Sequence, residues 1–143
     1  MADRIQVVQV GVAGPTGPPS TQALALIATY DAAGPISAHM AVTVDVNGRL
    51  IHASADDAAK IDVIGLSLNS AVLLGDQVNV LLNGDIVHSG WSWTVPGPVY
   101  LGLNGVLTQV VPSQPVSDFQ VVIGIATDVT RLSVDCEEAV SLA

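Results

Sequence analysis

The sequence predicts an all-β fold, in which two small β-barrel or sandwich units follow a short collagen-like segment. From residue 36 onward apolar residues recur with a period of two, as in Val42, Val44 and Val46, which is typical of half-buried strands. Three Asn-Gly steps lie between apolar runs, and this dipeptide favours tight hairpin turns. Short segments of the first half also recur in the same order in the second half. Together these observations predict a duplicated unit of short strands.

The repeat consists of three pairs of similar segments. They pair residues 41–50 with 98–107, 63–67 with 122–126, and 77–80 with 131–134, at spacings of 57, 59 and 54 residues. We therefore predict an N-terminal docking segment over residues 1–22, a first β unit over 23–88 and a second over 89–143.

The N-terminal segment joins a β-prone stretch, residues 5–10, to three consecutive Gly-X-Y triplets over 11–19. Glycine at every third position is what a collagen triple helix requires, because only glycine fits at the shared axis. Three triplets can form such a helix only if flanking segments already hold three chains together. The alternative is a polyproline linker without partners. The residues predicted to dock and align a homotrimer are Gly11, Gly14, Pro15, Gly17, Pro18 and Pro19.

Turn signals divide the first unit into strands. Residues 25–30 fit a strand, although a short helix over 21–28 is also compatible with the sequence. A turn over 31–35 follows, and the alternation then predicts a strand over 42–46. Asn47-Gly48 offers the two positive-φ residues of a type I′ turn, after which 49–54 returns as the partner strand.

The same devices recur further along the chain. Asn83-Gly84 and Asn104-Gly105 predict two more hairpins, and Gly75-Asp76 predicts a turn before a strand over 77–82. Residues 55–60 and 111–115 are expected to be surface loops, with a short helix at most near 56–60. Each loop leads into a strand with an Ile-Gly step, at Gly65 and Gly124. Glycine inside a strand indicates a bulge or the close approach of another backbone.

Composition excludes several classes of function. Four Lys and Arg residues against thirteen Asp and Glu give a net charge of −9, which disfavours both nucleic acid and anionic membrane surfaces as partners. No apolar run approaches the ~20 residues of a membrane span, and residues 1–6 lack signal-peptide character, so we expect synthesis in a cytoplasm. Only 12% of residues are charged while half are hydrophobic. We expect partner chains to cover much of so apolar a surface.

The sequence contains no recognisable catalytic or metal-binding constellation. His39, His52 and His88 lack metal-ligand spacing, and Asp56, Asp57 and Asp62 lack the spacing of a calcium loop, so a solvated acidic loop is expected there. Nucleotide-binding glycine motifs and a nucleophile elbow are also missing. Cys136 is the single cysteine, which predicts a buried thiol. We therefore expect no enzymatic activity and no cofactor.

Trp91 and Trp93 are two of only five aromatic residues, and they lie within a predicted strand over 91–95. Residues two apart in a strand point to the same face. Core packing between the repeats would explain the pair, and so would a subunit interface or a sugar-stacking platform. The sequence leaves these alternatives open.

The order of these segments resembles virion appendage proteins of tailed bacteriophages: capsid decoration proteins, head fibres and tail-fibre modules with a short collagen-like segment. The resemblance extends over about residues 5–135. After the β segment and the Gly-X-Y triplets, it is carried by Ala-Leu-Ile-Ala (25–28), Val-Asp-Val-Asn-Gly-Arg-Leu (44–50), Val-Ile-Gly-Leu-Ser (63–67), Gly-Asp-Gln-Val-Asn-Val (75–80), Trp-Ser-Trp-Thr-Val-Pro-Gly-Pro-Val-Tyr-Leu (91–101), Gly-Val-Leu-Thr-Gln (105–109) and Val-Ile-Gly-Ile-Ala (122–126).

This resemblance implies a non-enzymatic virion structural protein that assembles as a homotrimer. The partners of that trimer would be the major capsid protein or other virion proteins. With three triplets and no extended distal region, the chain is closer to a capsid decoration, cement or head-fibre protein than to a long fibre. The alternative is a tail-fibre or baseplate adhesin that binds a host surface glycan. That alternative predicts an outer groove in which Trp91 and Trp93 are exposed.

Overall fold

The structure, a computed structural model, describes residues 6–10 and 25–142. This part of the chain is all-β, as predicted, with one 3-10 turn at Ala58–Lys60. The strands are β1 Gln6–Val10, β2 Ala25–Asp31, β3 Ala41–Val44, β4 Leu50–His52, β5 Gly65–Ser67, β6 Gln77–Val87, β7 Gly97–Leu101, β8 Leu107–Thr108, β9 Phe119–Gln120, β10 Val122–Asp128, β11 Arg131–Asp135 and β12 Val140–Ser141. Among the helices described, none has the length and apolar character needed to cross a membrane.

Ten of these strands form one curled, antiparallel sheet with the shape of a half-barrel. Its main order is β4-β3-β5-β6-β11-β10-β7-β8, while β2 pairs with β6 and β1 pairs with β2. Strands β9 and β12 form a separate pair. The strand predicted over residues 25–30 is confirmed by β2, so the helical alternative is wrong for residues 25–28.

The two halves of the sheet have the same strand order and the same pairing register. Reading inward from each end, the order is β4-β3-β5-β6 in the first half and β8-β7-β10-β11 in the second. Val44 pairs with Leu50 in the first half, and Leu101 pairs with Leu107 in the second, each 57 residues further on. The first similarity seen in the sequence therefore corresponds to equivalent hairpins.

The Ile-Gly steps also occupy equivalent positions. Gly65 pairs with Val42, and Gly124 pairs with Val99. A Cβ atom at Gly65 would overlap the backbone carbonyl of Leu81 on β6, and one at Gly124 would overlap the corresponding carbonyl on β11. The prediction that another backbone approaches these glycines closely is confirmed.

The third similarity is offset by two residues. Ser67 pairs with Val80 in the first half, and Ala126 pairs with Leu132 in the second. Val80 is therefore equivalent to Leu132 in the structure, at a spacing of 52 residues, whereas the two similar sequence segments are 54 residues apart. A shift of two residues keeps each side chain on the same face of its strand, so the apolar alternation does not reveal it.

Strand β6 belongs to both halves. Leu81 pairs with Ile27 of β2 on one edge and with β5 on the other. In the same way Val134 of β11 lies between Gly124 of β10 and Gly84 of β6. The C-terminal part of β6 thus has the same relation to β11 that β2 has to β6. Because β6 pairs with strands of both halves, the pairing does not itself divide the chain between residues 88 and 89, and that boundary stays a prediction.

The hairpin predicted at Asn83-Gly84 is wrong, because both residues lie inside β6. Gly84 has a φ of 130° and lies where β6 leaves β5 and begins to pair with β11. Glycine adopts this φ at little steric cost. Continued pairing with β11 supplies hydrogen bonds to the backbone after Gly84, so the chain extends there instead of turning.

The two remaining Asn-Gly steps form different turns. At the second, Val106 N donates to Leu103 O at 3.1 Å, while Asn104 and Gly105 both have positive φ, of 53° and 83°. This is the predicted type I′ turn. At the first, only Gly48 has positive φ, of 76°, so the prediction of the same turn is wrong there.

The side chain of Asp45 explains the difference. Gly48 N donates to Asp45 O, and the Asp45 carboxylate accepts from the backbone amides of Asn47 and Arg49 at 2.8 and 3.0 Å. Such bonds from an Asp to amides two and four residues on stabilise a turn that begins at the Asp itself. The equivalent position of the second half is Gly102, which has no side chain to make these bonds.

The first half of the sheet has buried apolar side chains on both faces. One face carries the cluster Ala32, Ile36, Val42, Leu50, Ala71, Val78 and Val80. The other face carries Ala41, Leu66 and Leu81, which pack in one cluster with side chains of the second half that include Val99, Leu101, Ile123, Leu132 and Val134. The second half thus covers the first with one face of its own strands.

The opposite face of the second half is far more exposed. Ile125, the equivalent of Leu66, is 52% exposed, whereas Leu66 is fully buried. Pro98 is also exposed and Ser133 is half-buried, at the positions equivalent to buried Ala41 and Leu81. The halves are therefore alike in backbone and unlike in packing.

Candidate functional site

Four aromatic side chains, His39, His88, Trp91 and Trp93, form one cluster, which we call the aromatic cluster. The rings of His39 and His88 are stacked with centroids 4.0 Å apart and planes 15° apart. Trp91 meets both imidazoles edge to face, at 6.0 and 5.3 Å. The Trp91 and Trp93 rings are 5.3 Å apart. All four side chains are half-buried.

A buried serine holds His39 in an unusual backbone conformation. His39 has a φ of 62°, which a non-glycine residue adopts only when its surroundings enforce it. Its amide donates to Ser67 O at 2.7 Å. The Ser67 hydroxyl donates to Ser37 O at 2.6 Å and accepts from Met40 N at 3.1 Å. These bonds fix the segment before β3 and thereby direct the imidazole of His39 to the aromatic cluster.

The tryptophans follow β6 in a segment that is not a strand. Trp91 N donates to His88 O at 3.1 Å, and Trp93 N donates to Val129 O at 2.8 Å. The strand predicted over 91–95 is wrong, since the next strand begins at Gly97. A turn at His88 and two backbone bonds to the β10–β11 connection, from His88 N to Thr130 O and from Trp93 N to Val129 O, replace regular pairing here. The two indoles nevertheless lie side by side and pack against the main core.

The electrostatics of the cluster disfavour a charged His39. Burial and the nearby His88 both lower the pKa of His39. The indole nitrogen Nε1 of Trp93 is buried and has no hydrogen-bond partner among the described residues. Residues 6–10 and 25–142 contain no group of three or more His, Cys, Asp or Glu that could hold a metal ion. The arrangement suits stacking and contact with a partner surface.

The acidic residues singled out in the sequence act as local caps. The Asp57 carboxylate accepts from Ala59 N at 2.9 Å and so caps the 3-10 turn, while that of Asp56 accepts from the Ser54 hydroxyl. Asp62 contributes its backbone carbonyl, which accepts from the Thr43 hydroxyl at 2.7 Å.

Burial, with a smaller effect from Asp135, raises the pKa of the Cys136 thiol to about 12.

A second feature of the surface is an exposed apolar loop, Val72-Leu73-Leu74, between β5 and β6. The three side chains are 72%, 66% and 61% exposed. The Asp76 carboxylate accepts from Val72 N at 3.1 Å and from Leu73 N at 2.9 Å, and these bonds lower the pKa of Asp76. Gly75 N also donates to Ala32 O at 2.8 Å. The loop is thus fixed in a conformation that directs apolar side chains outward.

Further apolar side chains are exposed elsewhere. Val110, Val111 and Val116 lie in the connection between β8 and β9, and Val46 lies at the tip of the first turn. The residues predicted to dock and trimerise, Gly11, Gly14, Pro15, Gly17, Pro18 and Pro19, lie outside the described residues.

Sequence reasoning singled out the two tryptophans but missed their histidine neighbours. His39 and His88 are 49 residues apart and meet only because β6 and the segment before β3 end near one another. The exposed loop had a local signal, since three apolar residues precede Gly75-Asp76. An Asp placed after a glycine turn accepts readily from preceding amides.

The fold and surface define an all-β protein with a curled antiparallel sheet, an aromatic cluster and exposed apolar loops. Comparison with known proteins adds no relative, because neither a family model, nor a curated protein, nor a solved structure matches the chain.

Proposed function

We propose that this chain is a non-enzymatic structural protein of a bacteriophage particle, of the capsid decoration, cement or head-fibre type, and that it assembles as a homotrimer. The observation that carries the proposal is the exposed apolar loop Val72-Leu73-Leu74, held outward by Asp76. A shell-reinforcing protein acts by burying apolar area against its neighbours, at ~25 cal/mol per Å². A fixed apolar loop is suited to that role.

Separate features of the sequence support the trimer and the proposed place on a phage particle. The Gly-X-Y triplets at Gly11, Gly14 and Gly17 are compatible with three chains winding about an axis. The order of the β segments resembles that of virion appendage proteins. A chain with only 12% charged residues also gains from having its surface covered by partners.

The mass of the purified chain in solution tests the trimer. We expect light scattering to give three times 14.6 kDa at high concentration. Replacing Gly14 with Val should lower that mass, because a side chain does not fit at a triple-helix axis. A monomer in the parent chain would contradict the trimer, and an unchanged trimer in Gly14→Val would make the triplets a linker.

The exposed apolar loop can be tested with a matched pair of variants. Leu73→Ser should weaken association with the particle or with other copies, whereas Val46→Ser, at an isolated turn, should not. The readout is binding of the labelled chain to particles that lack it, followed by sedimentation. Equal binding of both variants would show that the exposed apolar loop is not part of the interface.

Imaging of intact particles decides the location. Antibody against the chain should label the capsid surface or neck. Labelling of the distal tail, or of no part of the particle, would contradict a decoration or head-fibre role.

The aromatic cluster favours one alternative, a tail-fibre or baseplate adhesin that binds a host glycan. The indole rings are half-buried beside the imidazoles, and the part of each ring that stays exposed is suited to stacking on sugars. Under this alternative Trp91→Ala should abolish binding on a glycan array, while Tyr30→Ala, outside the cluster, should not. If the parent chain binds no glycan on the array, the adhesin alternative is excluded.

A further inference from the structure

A cavity of about 260 Å³ lies between the segment after β2 and strand β4. Pro35 is the exposed part of its apolar wall, in which Ile36 and Leu50 are almost fully buried, and its polar wall is formed by His52, Lys60 and Asn104. The volume lies just below the range of about 300–1,000 Å³ that is usual for drug-sized ligands, so it suits a body the size of a monosaccharide or an amino acid.

The polar wall presents hydrogen-bond donors. His52 Nε2 accepts from Ser37 N at 3.2 Å, so the neutral imidazole carries its proton on Nδ1. Neither the Lys60 ammonium nor the Asn104 side-chain amide has a hydrogen-bond or ion-pair partner among residues 25–142. Three donor groups thus line one cavity.

The neighbouring carboxylates are engaged elsewhere. Asp57 caps the 3-10 turn that ends in Lys60, and Asp56 accepts from Ser54. Burial, and then the positive charge of Lys60, lower the pKa of His52.

Asn104 is held at the cavity in a conformation that asparagine tolerates better than most residues. Its φ is 53°, and its backbone amide donates to the Ser54 hydroxyl at 3.1 Å. The Ser54 hydroxyl in turn donates to the Asp56 carboxylate. This φ is that of the type I′ turn at Asn104-Gly105, which brings Asn104 to the cavity.

We propose that this cavity binds a small ligand that carries an oxyanion group. The oxyanion accepts hydrogen bonds from Lys60, His52 Nδ1–H and Asn104, and a monosaccharide-sized body lies against Pro35. Charge-assisted hydrogen bonds to an ammonium are the strong ones, and a carboxylate or phosphate would supply them. This inference goes beyond the proposed function, because such binding requires neither a trimer nor a particle.

A nuclear magnetic resonance titration of the full chain tests the proposal. The probes are glucuronate, glucose as the uncharged equivalent, and inorganic phosphate as an oxyanion without a body. We expect glucuronate to shift the amides of residues 33–36 and 104, phosphate to shift them with weaker affinity, and glucose to leave them unchanged. Equal binding of glucose, or no shift with glucuronate, would overturn the proposal. Phosphate that binds as tightly as glucuronate would overturn the role of the apolar wall.

Two variants of equal charge change sharpen the test. Lys60→Met should weaken glucuronate binding about tenfold or more, whereas Arg49→Met, in the first turn outside the cavity, should change it less than about twofold. Equal weakening by both would show a general charge effect and contradict the site. A further readout is the pKa of His52, which a bound anion should raise and glucose should not.

Discussion

The two halves of this protein share strand order, pairing register and strand-interior glycines, yet only the first is packed on both faces. Leu66 is fully buried between the halves, while its equivalent Ile125 is 52% exposed. The register follows from backbone features common to both halves. The packing instead follows from which face each half directs toward the other. Similar sequence therefore gives the same pairing without giving the same burial.

The largest expected effect concerns this pair of residues. Leu66→Ala should lower the free energy of unfolding by about 2–5 kcal/mol, because it removes packed methyl groups and leaves a cavity. Ile125→Ala should cost less than about 1 kcal/mol, since its side chain is half in solvent. Urea denaturation of both variants measures the difference. Equal losses would show that the two halves are packed alike, contrary to the burial of these two residues.

The strand-interior glycines should behave alike in both halves. Gly65→Ala and Gly124→Ala should each destabilise the fold by about 3 kcal/mol, since the new methyl group would overlap a carbonyl on the neighbouring strand. Gly34→Ala is the control, because nothing lies within 4 Å of a Cβ there. Thermal melts of the three variants measure the effects. A mild effect at only one of the two glycines would mean that the strands are not equivalent.

The turns should again show a difference between the two halves, because only the first turn is stabilised by an Asp side chain. Asp45→Ala should cost about 1 kcal/mol, because two backbone amides lose the carboxylate that accepts from them. Asp31→Ala, at an exposed position, removes the same charge without those bonds and serves as control. Chemical denaturation compares the two. If both variants lose the same stability, the Asp45 carboxylate does not explain the different turn.

The smallest effect concerns the His39–His88 contact. The pKa of His39 is lowered in the folded chain from 6.5, so the unfolded chain takes up its proton more readily. Stability should therefore be fully present above about pH 6.5 and decline as the pH falls below that value. Urea midpoints at about pH 7.5 and about pH 5.5 measure the decline. It should be smaller in His39→Asn, and an identical decline in both proteins would contradict this role of His39.

Much of the fold could be predicted from the sequence because its signals are local. Apolar alternation predicts the strands, and the Ile-Gly steps predict the close backbone approach at Gly65 and Gly124. The Asn-Gly steps were less informative. One forms the predicted turn, one forms a different turn because of Asp45, and Asn83-Gly84 lies inside a strand. Competing hydrogen-bond partners, which the dipeptide does not encode, decided each case.

The candidate sites could be predicted only in part. The Trp91–Trp93 pair was visible because both residues lie close together in a chain poor in aromatics. Its contact with His39 and His88, and the meeting of Lys60 with Asn104 at the cavity, depend on long-range pairing. No spacing in the sequence records such contacts, since they arise only when the sheet curls.

Strand β6 has a consequence for how the chain unfolds. Its first part is hydrogen-bonded within one half and its last part within the other, so neither half can open without releasing a strand of its neighbour. We expect one cooperative melting transition in place of two. The amides of β6 should exchange with heavy water only through global unfolding, and more slowly than those of the short outer strand β8. A protein that is repetitive in sequence would thus behave as a single cooperative unit.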